Sequence, residues 1–599
     1  MKEEKKSRDS LKIIILIAVT IFATCFIYEY NKILISKNNK NNQDVKESKT
    51  IAVEKVDINA IGDNTIEEET NNDNKIINKN TITQSQSTTS CKKNSACLIA
   101  GNFLSDGVVT TAEANAMKIN TANLQYLVNT YNSSERTIIE LPSGTYYFSK
   151  GGEAKNEDYV IKLTNNTTIK GSGTSENEAT ILKPYAPDNT IEKGLDMFYY
   201  NHLTDTKGAE AKYLENVSFS NFVIDGNDVR AKKYTSAGKG FMINLCKNCT
   251  WDNMVVKNTD GTGFGMDNLI DSKITNSTAI NCGKLATTTS YGASGFGIGT
   301  GYSNEESVLI ENCTAIGNKK YGFFFEHQGY FENGESDDNR TYKATKAVGF
   351  TVKNSTATGN LYNFGANRGN DVSYINCSST KDNTTIDGTP VGYTQSDIYF
   401  TDQSRRTKIE NFQTDNMFTD VSKSSPYYDA IKWAYLNSMI YGVGNYTFGL
   451  NVNATRADVV TILWRYSGRK GDVVFGLHED AKVKTDFKDV SSNALYAGAV
   501  SWAAENKITN GTSSTTFSPN KNVTREQFVT MLWRYAGSPN VKGSLPFKDV
   551  KKSSPYYKAI KWAYKKNITN GTSNTTFSPK ANCTREQVIT MIYRYNNTL

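Results

Sequence analysis

Six short segments of this 599-residue chain align without gaps and bring an acid, an imidazole and a guanidinium to neighbouring positions. They are Gly240-Phe-Met-Ile-Asn244, Gly263-Phe-Gly-Met-Asp267, Gly295-Phe-Gly-Ile-Gly299, Gly322-Phe-Phe-Phe-Glu326, Asn363-Phe-Gly-Ala-Asn367 and Asp397-Ile-Tyr-Phe-Thr401. Apolar pairs such as Phe264 with Met266 or Phe296 with Ile298 occupy alternate positions, as in a strand with one buried face. Met242, Gly265, Gly297, Phe324, Gly365 and Tyr399 then point outward. The next outward position holds Asn244, Asp267, Gly299, Glu326, Asn367 and Thr401, followed at the turn by Leu245, Asn268, Thr300, His327, Arg368 and Asp402. With about 4.8 Å between stacked strands, Asp267 lies two rungs, about 9 to 10 Å, from Glu326. That approaches the separation of two carboxylates that invert a glycosidic bond around a water. The alternative chemistry is proton abstraction beside a uronate carboxylate, with Arg368 neutralising the carboxylate, His327 as base and Tyr321 delivering a proton. Asn244, Asn367 and Asp402 would hold substrate. Phe324 and Tyr399 would form a stacking platform, and the three outward glycines a bare strip for a chain of sugars. A non-catalytic adhesin or glycan-binding surface protein would use the same strip and rings.

These groups converge only if successive coils stack. Strands ending at Asn221, Asn253, Asn276, Asn312, Asn354, Asn376 and Asn411 recur 32, 23, 36, 42, 22 and 35 residues apart. Coils of 22 residues or more with variable insertions fit a parallel β-helix, whose turn asparagines hydrogen-bond along the axis. The coils resemble the pectate-lyase-like superfamily of polygalacturonases, pectate lyases and alginate epimerases. Asn123-Leu-Gln and Ile138-Ile-Glu-Leu-Pro-Ser-Gly-Thr-Tyr-Tyr look like the capping helix and first strand of those proteins. The resemblance implies a right-handed parallel β-helix over 91–416 acting on polysaccharide, with lyase or epimerase ahead of glycoside hydrolase. Asn258-Thr-Asp-Gly261 echoes a polygalacturonase motif, but the paired aspartates and the Arg-x-Lys signature are absent from the expected places. Tyr321-Gly-Phe-Phe-Phe-Glu-His327 echoes an epimerase Tyr-Gly-Phe-Asp-Pro-His but is one residue longer and lacks Asp-Pro. The fold carries over; the reaction does not.

A different repeat fills the C-terminal third. Phe418-Thr-Asp-Val, Phe487-Lys-Asp-Val and Phe547-Lys-Asp-Val lead at equal offsets to Trp433, Trp502 and Trp562, then to Arg456, Arg525 and Arg585; the register is 69 residues, then 60. Each unit, over 417–480, 481–543 and 544–599, reads as a helix, a turn and a second helix. Thr524 with Gln527 and Thr584 with Gln587 have capping-box spacing. Two short helices cannot bury a core alone, so the three units pack together. These residues resemble the S-layer homology family, whose motif runs from F-x-D-V through A-I-x-W-A to T-R-E. The resemblance implies attachment to a pyruvylated secondary cell-wall polymer, with Arg525 and Arg585 as carboxylate ligands and Asp489, Asp549, Trp502 and Trp562 completing the pockets. Repeat one departs at Thr447-Phe448-Gly449-Leu450, so its pocket is read as structural. From Phe418 onward 24 basic residues face 12 acidic ones, a balance of +12 against +7 for the whole chain, which leaves the rest near −5. The positive charge is concentrated where an anionic polymer is expected.

Lys2, Lys5, Lys6, Arg8 and Lys12 precede an apolar run from Ile13 to Tyr28, read over 1–30 as a signal peptide or an uncleaved membrane anchor. Residues 31–90 are polar enough to serve as a disordered spacer. Cys91 and Cys97 could close a small disulfide, and cysteines within the β repeat are read as stacking positions. No cofactor is expected. Asp225, Asp260 and Asp267 could hold calcium, but no ligand spacing demands it. No nucleic-acid partner is expected, and a membrane only through the N-terminal segment.

Overall fold

A computed structural model describes residues 49–60, 91–103, 108–130, 136–154, 157–186, 192–202, 212–235, 237–286, 293–302, 305–327, 349–367, 371–381, 396–400, 407–414, 417–440, 442–443, 447–470 and 486–599. The hydrophobic helix expected over 1–30 lies outside the described residues. Among the described residues, no helix is long and apolar enough to cross a membrane.

Three sheets of 10, 10 and 9 strands run side by side, and consecutive coils contribute one strand to each. One coil runs Phe241–Lys247 in the second sheet, Thr250–Asp252 in the first and Val255–Lys257 in the third. The next coil begins at Phe264–Ile270, paired in parallel with Phe241–Lys247. Gly152–Glu153 pairs antiparallel with Asp158–Lys162 at the end of the second sheet. This is the expected parallel β-helix, mainly β with its helices concentrated in the C-terminal third.

Sharp turns between sheets need a backbone that L-residues disfavour, and asparagine tolerates it best after glycine. All seven aligned asparagines take positive φ, from 48° at Asn411 to 60° at Asn221. Their amides bond from coil to coil: Asn253 Nδ2 donates to Asn221 Oδ1 at 2.8 Å, Asn376 to Asn354 at 3.1 Å and Asn411 to Asn376 at 3.0 Å. Inside, Phe241, Phe264, Phe296, Phe323 and Phe364 form one column, with stacked rings 4.7–5.6 Å apart. Cys282, Cys313 and Cys377 are buried thiols in the stack. Cys246 and Cys249 differ: they are disulfide-bonded, as are Cys91 and Cys97.

The β-helix starts earlier than its sequence suggests. Lys49–Ala52 pairs with Thr137–Glu140, and Glu54–Asp57 with Cys97–Ala100, so these residues of the expected spacer are sheet. Val53 and Val56 supply the few buried apolar side chains needed. Helix α1 (Thr111–Thr130) lies against this end, its Asn120 and Asn123 bonded to the backbone of Ile99 and Cys97.

The C-terminal third contains helices α2 (Tyr428–Leu436), α3 (Arg456–Lys470), α4 (Ala497–Glu505), α5 (Arg525–Tyr535), α6 (Tyr557–Lys565) and α7 (Arg585–Asn596). Helix α3 packs on α4, α5 on α6 and α7 back on α2, closing a ring of three units. Thr524 and Gln527 form a reciprocal capping box; Thr584 instead donates to Glu586 Oε1 at 2.6 Å.

A buried polar relay joins this ring to the last coil. Asp397, fully buried, accepts from Ser379 Oγ at 2.5 Å and from Tyr435 Oη of α2 at 2.9 Å, with Lys381 Nζ 3.0 Å away. Asn363 Nδ2 bonds to Ser379 Oγ at 2.8 Å and continues the relay through Asn360 and Asn318 into the helix interior. Tyr435→Phe removes a hydrogen bond to a charged group and should cost about 1.5–3 kcal/mol. Asp397→Ala, which strips a buried cation of its carboxylate, should cost about 3–5 kcal/mol. Urea denaturation of the whole chain should show the lowered midpoints; unchanged midpoints would mean that the relay adds no stability.

Candidate functional site

The outer face of the second sheet carries the predicted row in the predicted register. Asn244 pairs with Asp267, Asp267 with Gly299, Gly299 with Glu326 and Glu326 with Asn367. Asp267 Oδ1 accepts the Gly299 amide at 2.9 Å, and Glu326 Oε1 accepts Asn367 Nδ2 at 2.9 Å. The rung between the two carboxylates is Gly299, which is itself buried.

Several other expectations change. Gly265, Gly297 and Gly365 are not a bare strip. A Cβ at Gly265 would lie 2.5 Å from Lys239 Cδ, one at Gly297 3.0 Å from Thr262 Cγ2, and one at Gly365 2.7 Å from Tyr321 Cε1. Lys239, Thr262 and Tyr321 each belong to the preceding coil and lean over the glycine of the next. Phe324 is no open platform: it is 4% exposed, its ring 4.1 Å from that of Tyr321. Tyr321 is itself buried, and burial holds its phenol well above the ordinary value. Tyr399 is partly buried and stacks on Tyr362 at 4.6 Å. Asn244 is buried and accepts from Asn268 at 3.0 Å, so it ties coils together. His327 is described only through its backbone, which pairs with Thr300, while Arg368 and Asp402 lie outside the described residues.

Sequence reasoning missed the side chains around this row. Lys320 is buried beside Tyr321; burial lowers its ammonium pKa, against the pull of Glu326. Burial raises the Tyr234 phenol to about 12, against a hydrogen bond at Ala293, and the Glu326 charge adds to the rise. Towards the N-terminal coils, burial raises the Glu157 carboxyl, opposed by Lys239 and Lys193 and assisted by Asp267. Burial likewise brings Asp196 to about 7, opposed by the Lys239 charge and amide. Lys239 and Lys320 stand one and two residues before an aligned glycine, the only sequence signal they carry. Asp225 and Asp260 are held by Lys257 at 3.4 Å and Lys284 at 3.2 Å. Among the described residues no three carboxylate, imidazole or thiol groups form a metal cluster.

In the C-terminal ring the predicted pocket residues have structural partners. Arg525 Nε donates to Phe577 O at 2.9 Å and Arg585 Nε to Phe448 O at 3.1 Å, each guanidinium lying over the ring of the same phenylalanine. Arg456, of the repeat whose pocket was read as structural, does the same with Phe517 at 2.7 Å. Each arginine thus locks its unit to the next, and repeat one closes the ring. Asp489 and Asp549 accept the amides of Phe517 with Ser518 and Phe577 with Ser578. Trp502 and Trp562 are core residues, 7% and 1% exposed, not open pocket walls.

Asp420 accepts three amides, from Phe448, Gly449 and Leu450, at 2.7–3.0 Å. Burial pushes its carboxyl upward, but the amides of Leu450, Phe448 and Gly449 outweigh it and hold the group below its ordinary value of 3.8. A depressed carboxyl stabilises the fold above its unfolded value and loses that contribution as pH falls through the folded one. Asp420→Asn should therefore lower the stability of the ring at pH 7 and flatten its decline below about pH 4. Thermal melts across that range check both effects, and a variant with the wild-type acid profile would contradict the assignment.

Comparison with known proteins places the ring. The S-layer homology domain profile matches residues 418–460, 486–529 and 546–589. An endoglucanase of Bacillus sp. (strain KSM-635) is 40% identical over 108 residues, 18% of this chain and 11% of that protein. A cell surface protein of Thermoanaerobacter kivui is 31% identical over 127 residues, 21% and 16% of the two chains. A surface layer protein of Brevibacillus choshinensis is 32% identical over 120 residues, 19% and 10%. The chain thus spans between 10 and 16% of the length of these relatives. Among solved structures, the A-module of a mannuronan C-5 epimerase from Azotobacter vinelandii aligns at 15% identity and TM-score 0.26, over 51% of this chain and 96% of that one. A surface adhesin of Streptococcus pneumoniae aligns at 12% identity and TM-score 0.26, over 50% and 93%. Alignments this loose do not bear on the chemistry of the site. The profile match does identify the C-terminal ring, and with it the chain is one that carries three S-layer homology domains.

Proposed function

We propose that the chain is a cell-surface enzyme that acts on polysaccharide with the outer face of its second sheet, while its S-layer homology ring binds an anionic cell-wall polymer. The observation that carries the enzymatic reading is the row Asp267, Gly299, Glu326: two carboxylates in register two rungs apart on one sheet. Two rungs amount to about 9–10 Å, close to the upper end of the spacing at which one carboxyl protonates a leaving oxygen while the other activates a water. Glycosidic-bond hydrolysis therefore has better support than the lyase or epimerase chemistry suggested by sequence. That chemistry takes Tyr321 as the proton donor, and Tyr321 is packed in an aromatic stack. A purely adhesive role draws no support from Phe324, whose ring is covered. The amide that Asp267 Oδ1 accepts from Gly299 fixes the orientation of that carboxylate.

Wall binding rests on the three S-layer homology domain matches and on the +12 balance of the ring. A pyruvylated polymer would present carboxylates to this surface, and extracellular location follows from that attachment.

Incubation of the whole chain with uronate and neutral glycans should release new reducing ends. Asp267→Asn and Glu326→Gln, each close in shape to the residue replaced, should slow release by about 10²–10⁴-fold without loss of the folded state. Unsaturated ends in place of reducing ends would point to a lyase. Turnover that survives both substitutions would remove the pair from the mechanism.

A further inference from the structure

The corner that follows the third sheet holds an ammonium among oxygen donors of the kind that bind metal ions. Val223–Asp225, Val255–Lys257 and Thr278–Ile280 are neighbouring strands of that sheet on three successive coils. Past the first lies the short 3₁₀ turn Gly226–Asp228, past the second Asp260, and past the third Lys284. Lys284 Nζ donates to Gly226 O and to Val229 O, both at 2.7 Å, and stands 3.2 Å from Asp260 Oδ1. One side chain therefore ties its own coil to the two before it.

The surroundings prepare this position from both sides. The amides of Gly283 and Lys284 donate to Thr259 O at 3.0 and 3.1 Å, which fixes the backbone from which the lysine leaves. Gly283 has a φ of 79°, and a Cβ there would lie 2.8 Å from that of Ala293, so the turn calls for glycine. Opposite, Asp260 is buried; its Oδ2 accepts the Ala231 amide at 3.1 Å, and its Oδ1 has no hydrogen-bond partner besides the lysine. The neighbouring acids are engaged elsewhere: Asp228 pairs with Lys183 at 2.5 Å and Asp225 with Lys257 at 3.4 Å.

Two carbonyls and one carboxylate, with no nitrogen or sulfur, are the donor set of a hard cation. An ammonium brings three donors and the cage offers three oxygens, so one group meets both the charge and the hydrogen bonding. The lysine side chain is 27% exposed, so the cage borders solvent, from which an ion and its waters would enter if that side chain were shortened.

We propose that Lys284 is a tethered cation seated in a calcium-type cage, clamping three successive coils at the corner that leads into the strand of Asp267. The calcium site is latent: withdrawal of the ammonium creates it. Neither point depends on the outer row acting on polysaccharide.

Thermal melts and calcium titration calorimetry of the whole chain test this. Lys284→Ser should melt several degrees below wild type in chelator and regain most of the loss in millimolar calcium. Sodium at equal ionic strength should restore none of it, and magnesium less than calcium, because magnesium sheds its waters reluctantly. Calorimetry should show one calcium bound by Lys284→Ser beyond those bound by wild type, with a Kd of about 10⁻⁴–10⁻³ M, the range of extracellular oxygen sites. Lys284→Met, whose unbranched side chain fills the path of the lysine stem without charge, should also lose stability but gain nothing from calcium. Asp260→Asn added to Lys284→Ser should abolish the rescue. A Lys284→Ser variant as stable as wild type, or one that binds no additional calcium, would overturn the proposal, as would equal rescue in the presence of Asp260→Asn. If Lys284→Ser unfolds in chelator, refolding from urea gives the same decision: recovery in calcium alone supports the cage, and recovery in neither buffer overturns it.

Discussion

Everything on the outer face depends on unbroken parallel pairing of successive coils, and that pairing depends on turns that only a few residue types accept. Seven asparagines at positive φ turn the chain at the same corner, and their side-chain amides bond along the axis, so the corner does not drift from coil to coil. The register follows from these corners and from the column of phenylalanines inside. A slip of one residue in any coil would send its phenylalanine to solvent and its acid to the core. Residues as distant in sequence as Asp267 and Glu326 are brought to one row by this constraint alone.

The register was legible because it is a repeat of residue types at fixed offsets, and a short-range pattern of this kind survives insertions of any length. What the sequence concealed is the complementarity of volumes between neighbouring coils. Glycines at 265, 297 and 365 look vacant in an alignment, yet each accommodates a side chain that leans across from the coil before: Lys239, Thr262 and Tyr321. Close packing of this kind leaves no furrow. It replaces an imagined strip of bare backbone with a surface of one cation, one hydroxyl and a stack of rings. Phe324 and Tyr321 were expected to meet sugars and instead meet each other, because two large outward rings on one strand bury more apolar area together than apart.

The same distinction holds in the C-terminal ring. Three-fold repetition revealed the units and their helices, but not that each arginine reaches into the neighbouring unit. Arg456, Arg525 and Arg585 donate to Phe517, Phe577 and Phe448 in cyclic order, which makes the first unit as necessary to the ring as the others, although its turn sequence departs from theirs. Contacts between repeats cannot be read from a repeat considered singly. The N-terminal boundary was obscured for a different reason: Lys49–Ala52 and Glu54–Asp57 are polar segments that become sheet because edges already formed offer them backbone partners, a context that composition does not carry.

The Asp397–Tyr435 relay makes the ring a cap on the last coil. The central claim is that the outward row of the second sheet receives polysaccharide. Hydrogen–deuterium exchange of the whole chain with a saturating acidic oligosaccharide tests it directly. The account predicts new protection in Phe241–Lys247, Phe264–Ile270 and Phe296–Thr300. Protection confined to residues 418–589, with those three strands unchanged, would contradict it.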